Sequence, residues 1–206
     1  LFNFLLESYQ KDTPFSQFYN ASFILATLTF IYPNLICLTL LFIVSGINYS
    51  NLNWRIIFTV LLGLTTPYFF YFMFCFVTET PFVILEFFNF SKINFSPIQD
   101  VHFSKQICLA ILLLVVLVSF FELFVWLYKK SIKSRKSFMT IIWFFTISTL
   151  IAIYSGTEYF YFSIIPLAII VGNYFVYTKN RKTANILFFL LVISSFFYKY
   201  IIAYNM

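Results

Sequence analysis

Six long apolar stretches limit what this chain can fold into more than any other feature of its sequence. They cover approximately residues 20–47, 54–76, 107–128, 138–154, 160–177 and 184–204. A helix rises about 1.5 Å per residue and a bilayer core is about 30 Å thick, so helices of this length can cross it. The stretches are continuously apolar, unlike the alternating strands of a membrane barrel. The sequence therefore predicts an all-α fold, a polytopic transmembrane helix bundle of about six spans.

The composition favours the same prediction. Of the 206 residues, 62% are hydrophobic and only 10% are charged. A soluble domain carries about 25% charged residues. Too little polar surface remains here to cover a particle of this size in water. Because the apolar stretches are spread evenly, we expect residues 1–206 to form a single transmembrane helical domain.

Three prolines interrupt the apolar stretches and predict kinked helices. Pro67 and Pro166 lie inside stretches, where neighbouring helices can accommodate a proline within a membrane. The first stretch contains Pro33 and is too long for one straight crossing. It is predicted to form either one kinked, tilted helix or two short helices that meet at residues 32–34.

The charged residues indicate how the bundle is oriented. Basic side chains fill three connections between the stretches, and these connections contain no acidic residue. The basic residues are Arg55, Lys129, Lys130, Lys133, Arg135, Lys136, Lys179, Arg181 and Lys182. The positive-inside rule makes these turns cytoplasmic. The N-terminal segment 1–19, the loop 78–105 and the C-terminus are then expected outside a bacterial inner membrane. Short basic turns beside a membrane also argue against nucleic acid as a partner.

The external loop 78–105 is too polar to span the membrane and too apolar to remain in water. We expect it to form a helix or hairpin in the membrane interface. Its phenylalanines Phe82, Phe87, Phe88 and Phe90 would dip into lipid or cap the bundle. External acidic residues could supply a general base or a metal ligand, and solvated charges without a chemical role are the simpler interpretation. These residues are Glu79, Glu86, Asp100 and Glu158.

Glu122 is the only acidic residue inside a predicted span. A carboxylate within hydrocarbon is costly, so we expect it to face a protein interior and to have a partner. Two interpretations stay open: a functional intramembrane carboxylate, or a group near the cytoplasmic interface that Lys129 or Arg135 neutralises. Asn173 and Ser163 are small polar groups suited to hydrogen bonds between helices.

Motifs of catalysis and cofactor binding are missing from the sequence. It contains no G-x-G-x-x-G, P-loop, H-E-x-x-H or G-x-S-x-G pattern. The one histidine, His102, lacks the further ligands that a metal site needs. Cys37, Cys75 and Cys108 have no C-x-x-C spacing, which favours free thiols. We therefore predict no cofactor, no metal and no catalytic residue.

Three segments resemble a known family. They are NASFILATLTFIYPNLICLTLLF (20–42), NWRIIFTVLLGLTTPYFFYF (53–72) and YFSIIPLAIIVGNYF (161–175). The resemblance is to uncharacterised polytopic inner-membrane proteins of Bacteroidota that share a domain of unknown function. Members of that family are longer at the N-terminus by several helices, which implies further helices before Leu1 and a cell-envelope location. The first two segments also resemble polyprenyl-phosphate-using membrane glycosyltransferases, whose catalytic acidic residue lies in a part that has no counterpart here.

Three functions are compatible with these observations. We expect first a non-catalytic accessory or scaffold subunit of a larger inner-membrane assembly, with the lipid bilayer and other membrane subunits as partners. The alternative is a membrane enzyme or transporter for lipid-linked glycans, in which Glu122 works and the basic turns contact lipid or polyprenyl phosphates. The third is an organelle-encoded respiratory-complex subunit, although such subunits usually carry several intramembrane charges in series.

Overall fold

The computed structural model describes residues 1–9, 11, 13–81 and 103–204, and within them the chain is helical. The α-helices of this part of the chain are α1 (Phe2–Glu7), α2 (Phe15–Thr29), α3 (Thr39–Asn48), α4 (Trp54–Val77), α5 (Phe103–Leu127), α6 (Ile132–Ser155), α7 (Phe160–Tyr177) and α8 (Arg181–Tyr204). Short 3₁₀ segments at Pro33–Leu38 and Thr157–Tyr159 precede α3 and α7. No strand occurs in these residues, so the predicted all-α class is confirmed.

Four helices are long and apolar enough to cross a membrane. Among the described residues they are Trp54–Val77, Leu109–Leu127, Ile132–Ser155 and Phe160–Tyr177. A shorter apolar segment, Pro33–Asn48, comes before them in the chain. Each of the four corresponds to a predicted span, which supports a helical membrane protein. The predicted kinks at Pro67 and Pro166 fall inside α4 and α7, both of which continue through their proline.

The chain divides into two compact units. The first comprises Leu1–Ile93 and Ser131–Ser163, and the second comprises Asn94–Lys130 and Ile164–Met206. In the first unit, apolar side chains of α1, α2, α3, α4 and α6 form a buried core that includes Phe18, Leu41 and Phe144. In the second unit, α5 packs against α8. The candidate site described below belongs entirely to the second unit.

Residues 20–47 form two helices, which decides between the two predicted arrangements. Helix α2 ends at Thr29, and Tyr32 has non-helical backbone angles (φ −127°, ψ 84°). Pro33 causes this break, because a proline disfavours helical geometry at the preceding residue and has no N–H to donate. The chain resumes as the 3₁₀ segment and α3, which ends at Asn48.

Helices α2 and α4 pack closely because Gly63 has no side chain. A Cβ atom at this position would overlap Ser22 Oγ and lie 2.8 Å from the Tyr19 carbonyl oxygen. Further along both helices, Thr29 and Tyr68 share a hydrogen bond between their hydroxyls. The contacts advance in the same order on the two helices. Helices α2 and α4 therefore run in the same direction.

The N-terminal segment lies beside the turn after α3 and the start of α6. Asn51 Nδ2 donates to the Ser8 carbonyl at 2.8 Å, and Lys133 Nζ lies 5.9 Å from the centre of the Tyr9 ring. The external position predicted for residues 1–19 assumes that residues 20–47 make one crossing. Two helices joined at a tight break instead return the chain to the side on which α2 begins.

We expect Gly63→Ala to destabilise the protein by about 1–3 kcal/mol, because the added methyl group forces α2 away from α4. Thermal unfolding of the detergent-solubilised protein, followed by circular dichroism, measures this effect. Gly172→Ala is the matched control, since a Cβ there meets nothing within 4 Å in the described part of the chain. This control should stabilise α7 by about 0.5–1 kcal/mol through better helix propensity. Equal effects of the two substitutions would contradict the close contact at Gly63.

Candidate functional site

Glu122 lies near the end of α5 and is hydrogen-bonded to the segment that follows α7. Its Oε1 atom accepts from the Thr178 hydroxyl at 2.6 Å and from the backbone N–H of Lys179 at 3.3 Å. Thr178 is buried, and Glu122 is half-buried. The carboxylate therefore joins α5 to the turn between α7 and α8.

The partners of Glu122 differ from those that the sequence suggested. One of the two interpretations named Lys129 or Arg135 as the neutralising group, whereas the hydrogen bonds described come from Thr178 and Lys179. Lys129 lines the same cavity as Glu122. The sequence analysis did not identify Thr178 as a site residue. The only indication in the sequence is its position between Tyr177, at the end of an apolar stretch, and the basic turn that begins at Lys179. This geometry is compatible with both interpretations of Glu122, the structural and the functional.

A cavity of about 90 Å³ lies beside the Glu122 carboxylate. Side chains of α5 and of the end of α7 line it, and the polar and aromatic ones are Glu122, Trp126, Lys129, Asn173, Tyr174, Tyr177, Thr178 and Lys179. Asn173 is only 9% exposed, and its amide has no hydrogen-bond partner among the described residues. The predicted bond from Asn173 to another helix is therefore not formed in this part of the chain. Ser163 also bonds within its own helix, to the Phe160 carbonyl at 2.7 Å.

Three lysines of the second unit gather around this cavity. Lys129 and Lys179 line it, and both residues are exposed. Lys130 Nζ lies 4.9 Å from the centre of the Trp126 ring and 5.2 Å from that of Tyr177. Cation–π contacts of this kind hold an ammonium group over the aromatic faces. The site thus combines a half-buried carboxylate and a buried amide with exposed ammonium groups.

The other predicted basic residues lie in the first two turns of helices. They are Arg55 in α4, Lys133, Arg135 and Lys136 in α6, and Arg181 and Lys182 in α8. The helix dipole disfavours positive charge at a helix N-terminus. Their clustering there is better explained by the membrane surface than by helix stability.

A second polar cluster lies in the first unit, at the turn after α3. Asn48 Nδ2 donates to the Lys136 carbonyl at 2.6 Å and to Thr140 Oγ1 at 3.0 Å, which joins α3 to α6. The hydroxyl of the buried Tyr49 has no partner of acceptable hydrogen-bond geometry among the described residues. Thr140 and Ser137 lie near enough to lower the pKa of Tyr49, but burial has the larger effect and raises it.

The remaining candidate residues do not form a site in the described part of the chain. Glu79 and Glu158 are exposed. Other candidates lie outside the described residues, namely Phe82, Glu86, Phe87, Phe88, Phe90, Asp100 and His102. Within the described residues, no group of three or more His, Cys, Asp and Glu side chains could hold a metal ion. Cys37 and Cys75 are free thiols, as predicted, and the Cys108 side chain lies outside the description.

Thr178→Val should destabilise the protein by about 1.5–3 kcal/mol, because it removes a hydrogen bond to a charged group without changing side-chain volume. Chemical unfolding of the solubilised protein, monitored by circular dichroism, measures the difference. Thr146→Val is the matched control, since that exposed hydroxyl bonds only to the Ile142 carbonyl of its own helix. Equal stability of the two variants would show that the bond to Glu122 contributes little.

Tyr49→Phe should raise the unfolding temperature, because an unpaired buried hydroxyl costs about 1–3 kcal/mol. The pKa of Tyr49 is raised in the folded protein by burial. The stabilisation that this shift provides is complete below the unfolded-state pKa of about 10 and is lost as the pH rises through the folded-state pKa. The variant should therefore lose less stability at alkaline pH than the parent. The same loss of stability with rising pH in both proteins would contradict this prediction. Tyr128→Phe, at an exposed tyrosine, is the control.

A family model described as a family of unknown function (DUF6427) matches residues 1–205. The match extends over the helices of both units and agrees with the domain of unknown function expected from the sequence. No curated protein and no solved structure matches the chain. A function therefore has to be inferred from the residues themselves.

Proposed function

We propose that this chain, which belongs to the family of unknown function DUF6427, is a non-catalytic accessory subunit of a larger inner-membrane protein assembly. The observation that carries the proposal is an unpartnered face of small residues on α7. A helix of another subunit would pack on this face. The chain would then act by holding its partner in place within the membrane.

The small-residue face is formed by Ala168 and Gly172. These residues are about one turn apart on α7, and both are exposed. A Cβ atom at Gly172 would meet nothing within 4 Å in the part of the chain that the structure describes. Small residues with this spacing let the backbones of two membrane helices approach closely. The face therefore has the form of a helix–helix contact, and the proposal assigns its second helix to another chain.

The opposite side of α7 is already packed. Pro166, Ile170 and Tyr174 are buried, and their helical positions lie across the helix axis from Ala168 and Gly172. Helix α7 thus has one buried face and one face that is exposed among the described residues. Because one face of α7 is well packed, the exposure of the Ala168–Gly172 face does not reflect loose packing of the whole helix.

If this face contacted only lipid, its apolar character would be expected, but the presence of Gly172 would not. A glycine inside a helix costs about 0.5–1 kcal/mol relative to alanine. In a membrane there is no hydrophobic driving force between helices, so close backbone approach is the main gain that a glycine can provide. A partner helix at Gly172 would offset the cost of having glycine there.

The proposed topology has about six membrane-inserted elements. Helices α4 to α8 each cross the bilayer, and residues 20–47 form the sixth element, which enters and leaves on one side. The basic turns are cytoplasmic under the positive-inside rule. The α6–α7 connection and the C-terminus are then external, and residues 8–9 are cytoplasmic because they contact the turn after α3 and the start of α6.

Single cysteines placed in an otherwise cysteine-free chain test this topology. A cysteine at Gly156 should react with a membrane-impermeant maleimide in intact cells, because this residue lies between α6 and α7. A cysteine at Asn180, between α7 and α8, should react only after permeabilisation. The reverse pattern would invert the orientation, and labelling of both without permeabilisation would rule out a crossing by α7.

Gly172→Leu should lower the native mass of the protein extracted from its own membranes in mild detergent, because a leucine prevents close helix approach. The unfolding temperature should not fall, since a Cβ at this position meets nothing within 4 Å among the described residues and leucine is a better helix former than glycine. Ile165→Leu, on the same exposed face, is the size-neutral control. Parent protein that already migrates as a single chain, or a complex that survives Gly172→Leu, would contradict the proposal.

One observation favours a second function, a membrane enzyme or transporter that handles lipid-linked glycans. Lys129 and Lys179 line a cavity that also contains the intramembrane carboxylate Glu122. Ammonium groups beside a membrane can hold lipid phosphates. Glu122→Gln separates the two functions: it should reduce glycan transfer or transport in cells under the second function and leave assembly unchanged under the first.

A further inference from the structure

The cavity beside Glu122 contains hydrogen-bonding groups that the protein itself does not use. The bonds from Thr178 and Lys179 both go to Oε1, and no described residue donates to Oε2. An ionised carboxylate can accept about four hydrogen bonds, so Oε2 has capacity for a donor from outside the chain.

Asn173 provides a second unused acceptor in the same cavity. Its side chain is 9% exposed, lines the cavity and has no partner among the described residues. An amide that lines a cavity and has no partner within the described residues can bond to a group from outside the chain. A ligand group that donates several hydrogen bonds would satisfy the Asn173 carbonyl and Glu122 Oε2 together.

The charges at this site differ in exposure. Glu122 is half-buried, whereas Lys129 and Lys179 are exposed, and all three line the cavity. A purely anionic group would meet the carboxylate, and a purely cationic group would have to pass the lysines. A ligand with an inner cation and an outer anion fits this arrangement, since each of its charges meets the opposite sign.

The size and location of the cavity restrict the ligand further. Its volume is about 90 Å³, which is room for a short aminoalkyl group but little more. The site lies at the end of α5 beside a basic turn, where a spanning helix reaches the level of lipid headgroups. Val125 lines the cavity and is 61% exposed, so apolar surface continues from the site toward the lipid chains.

We propose that this cavity binds the headgroup of an aminophospholipid of the phosphatidylethanolamine type. The ammonium of the lipid donates to Glu122 Oε2 and to the Asn173 carbonyl. The phosphate lies between Lys129 and Lys179, and the acyl chains leave past Val125. The site is separate from the Ala168–Gly172 face of α7, so this inference does not depend on the proposed function.

Native mass spectrometry of the purified full chain tests the proposal. The protein is equilibrated with equal amounts of phosphatidylethanolamine, phosphatidylcholine and phosphatidylglycerol that carry the same acyl chains. Phosphatidylethanolamine should be retained preferentially, because the choline ammonium cannot donate hydrogen bonds and the glycerol headgroup has no cation. Equal retention of the ethanolamine and choline lipids, or preference for phosphatidylglycerol or a polyprenyl phosphate, would overturn the proposal. This comparison uses the unaltered chain and so does not depend on the folding of any variant.

Variants then locate the bound lipid. Glu122→Gln and Asn173→Leu should each weaken retention of phosphatidylethanolamine about tenfold, the effect of losing a charge-assisted or buried hydrogen bond. Asn173→Leu should keep its unfolding temperature, since the amide has no partner among the described residues to lose. Glu158→Gln, at an exposed carboxylate, is the control and should retain the lipid fully. Unchanged retention in a folded Asn173→Leu protein would show that the lipid binds elsewhere.

Soluble phosphoethanolamine distinguishes a lipid from a free headgroup. It should compete weakly, because it lacks the chains that pack along the apolar surface at Val125. Competition equal to that of the intact lipid would overturn the assignment of a membrane lipid as the ligand.

Discussion

Hydrocarbon offers no hydrogen-bond partner, and this constraint governs every polar group within the spans. Backbone groups are satisfied inside the helices, and most described hydroxyls bond back to a carbonyl of their own helix. Ser119 is an example, since its buried hydroxyl donates to the Val115 carbonyl at 2.7 Å. Groups used in this way contribute little to holding one helix against another. The arrangement of the helices therefore depends on a few side chains that reach across, and on close apolar packing.

Those few cross-helix contacts occur where the chain has a small residue or lies near the membrane surface. At Gly63 the absence of a side chain lets α2 and α4 approach until their backbones nearly meet. At the ends of helices, Asn48 joins α3 to α6, and Glu122 joins α5 to the segment after α7. A carboxylate near a helix end is less costly than one at the bilayer centre, which suits Glu122 to a joining role as well as to binding.

Helix α7 is the element on which the functional proposals converge. Its buried side includes Ile170 and Tyr174, and its exposed side contains Gly172. Asn173, near its end, and Thr178, directly after it, line the cavity. A subunit contact and a lipid site can coexist on these separate faces.

The sequence by itself determined the helical class and four of the spans, and Phe160–Tyr177 has the predicted bounds. This is possible because hydropathy is a local property and bilayer thickness sets the length of a span. The cavity could not be predicted, since Glu122 meets Thr178, 56 positions away in the chain. The contact of Ser8 with Asn51 also required the tertiary structure, because the break before Pro33 divides residues 20–47 into two helices. The apolar segments have similar hydropathy, so hydropathy does not determine which of their faces pack together. Only the tertiary structure determines this.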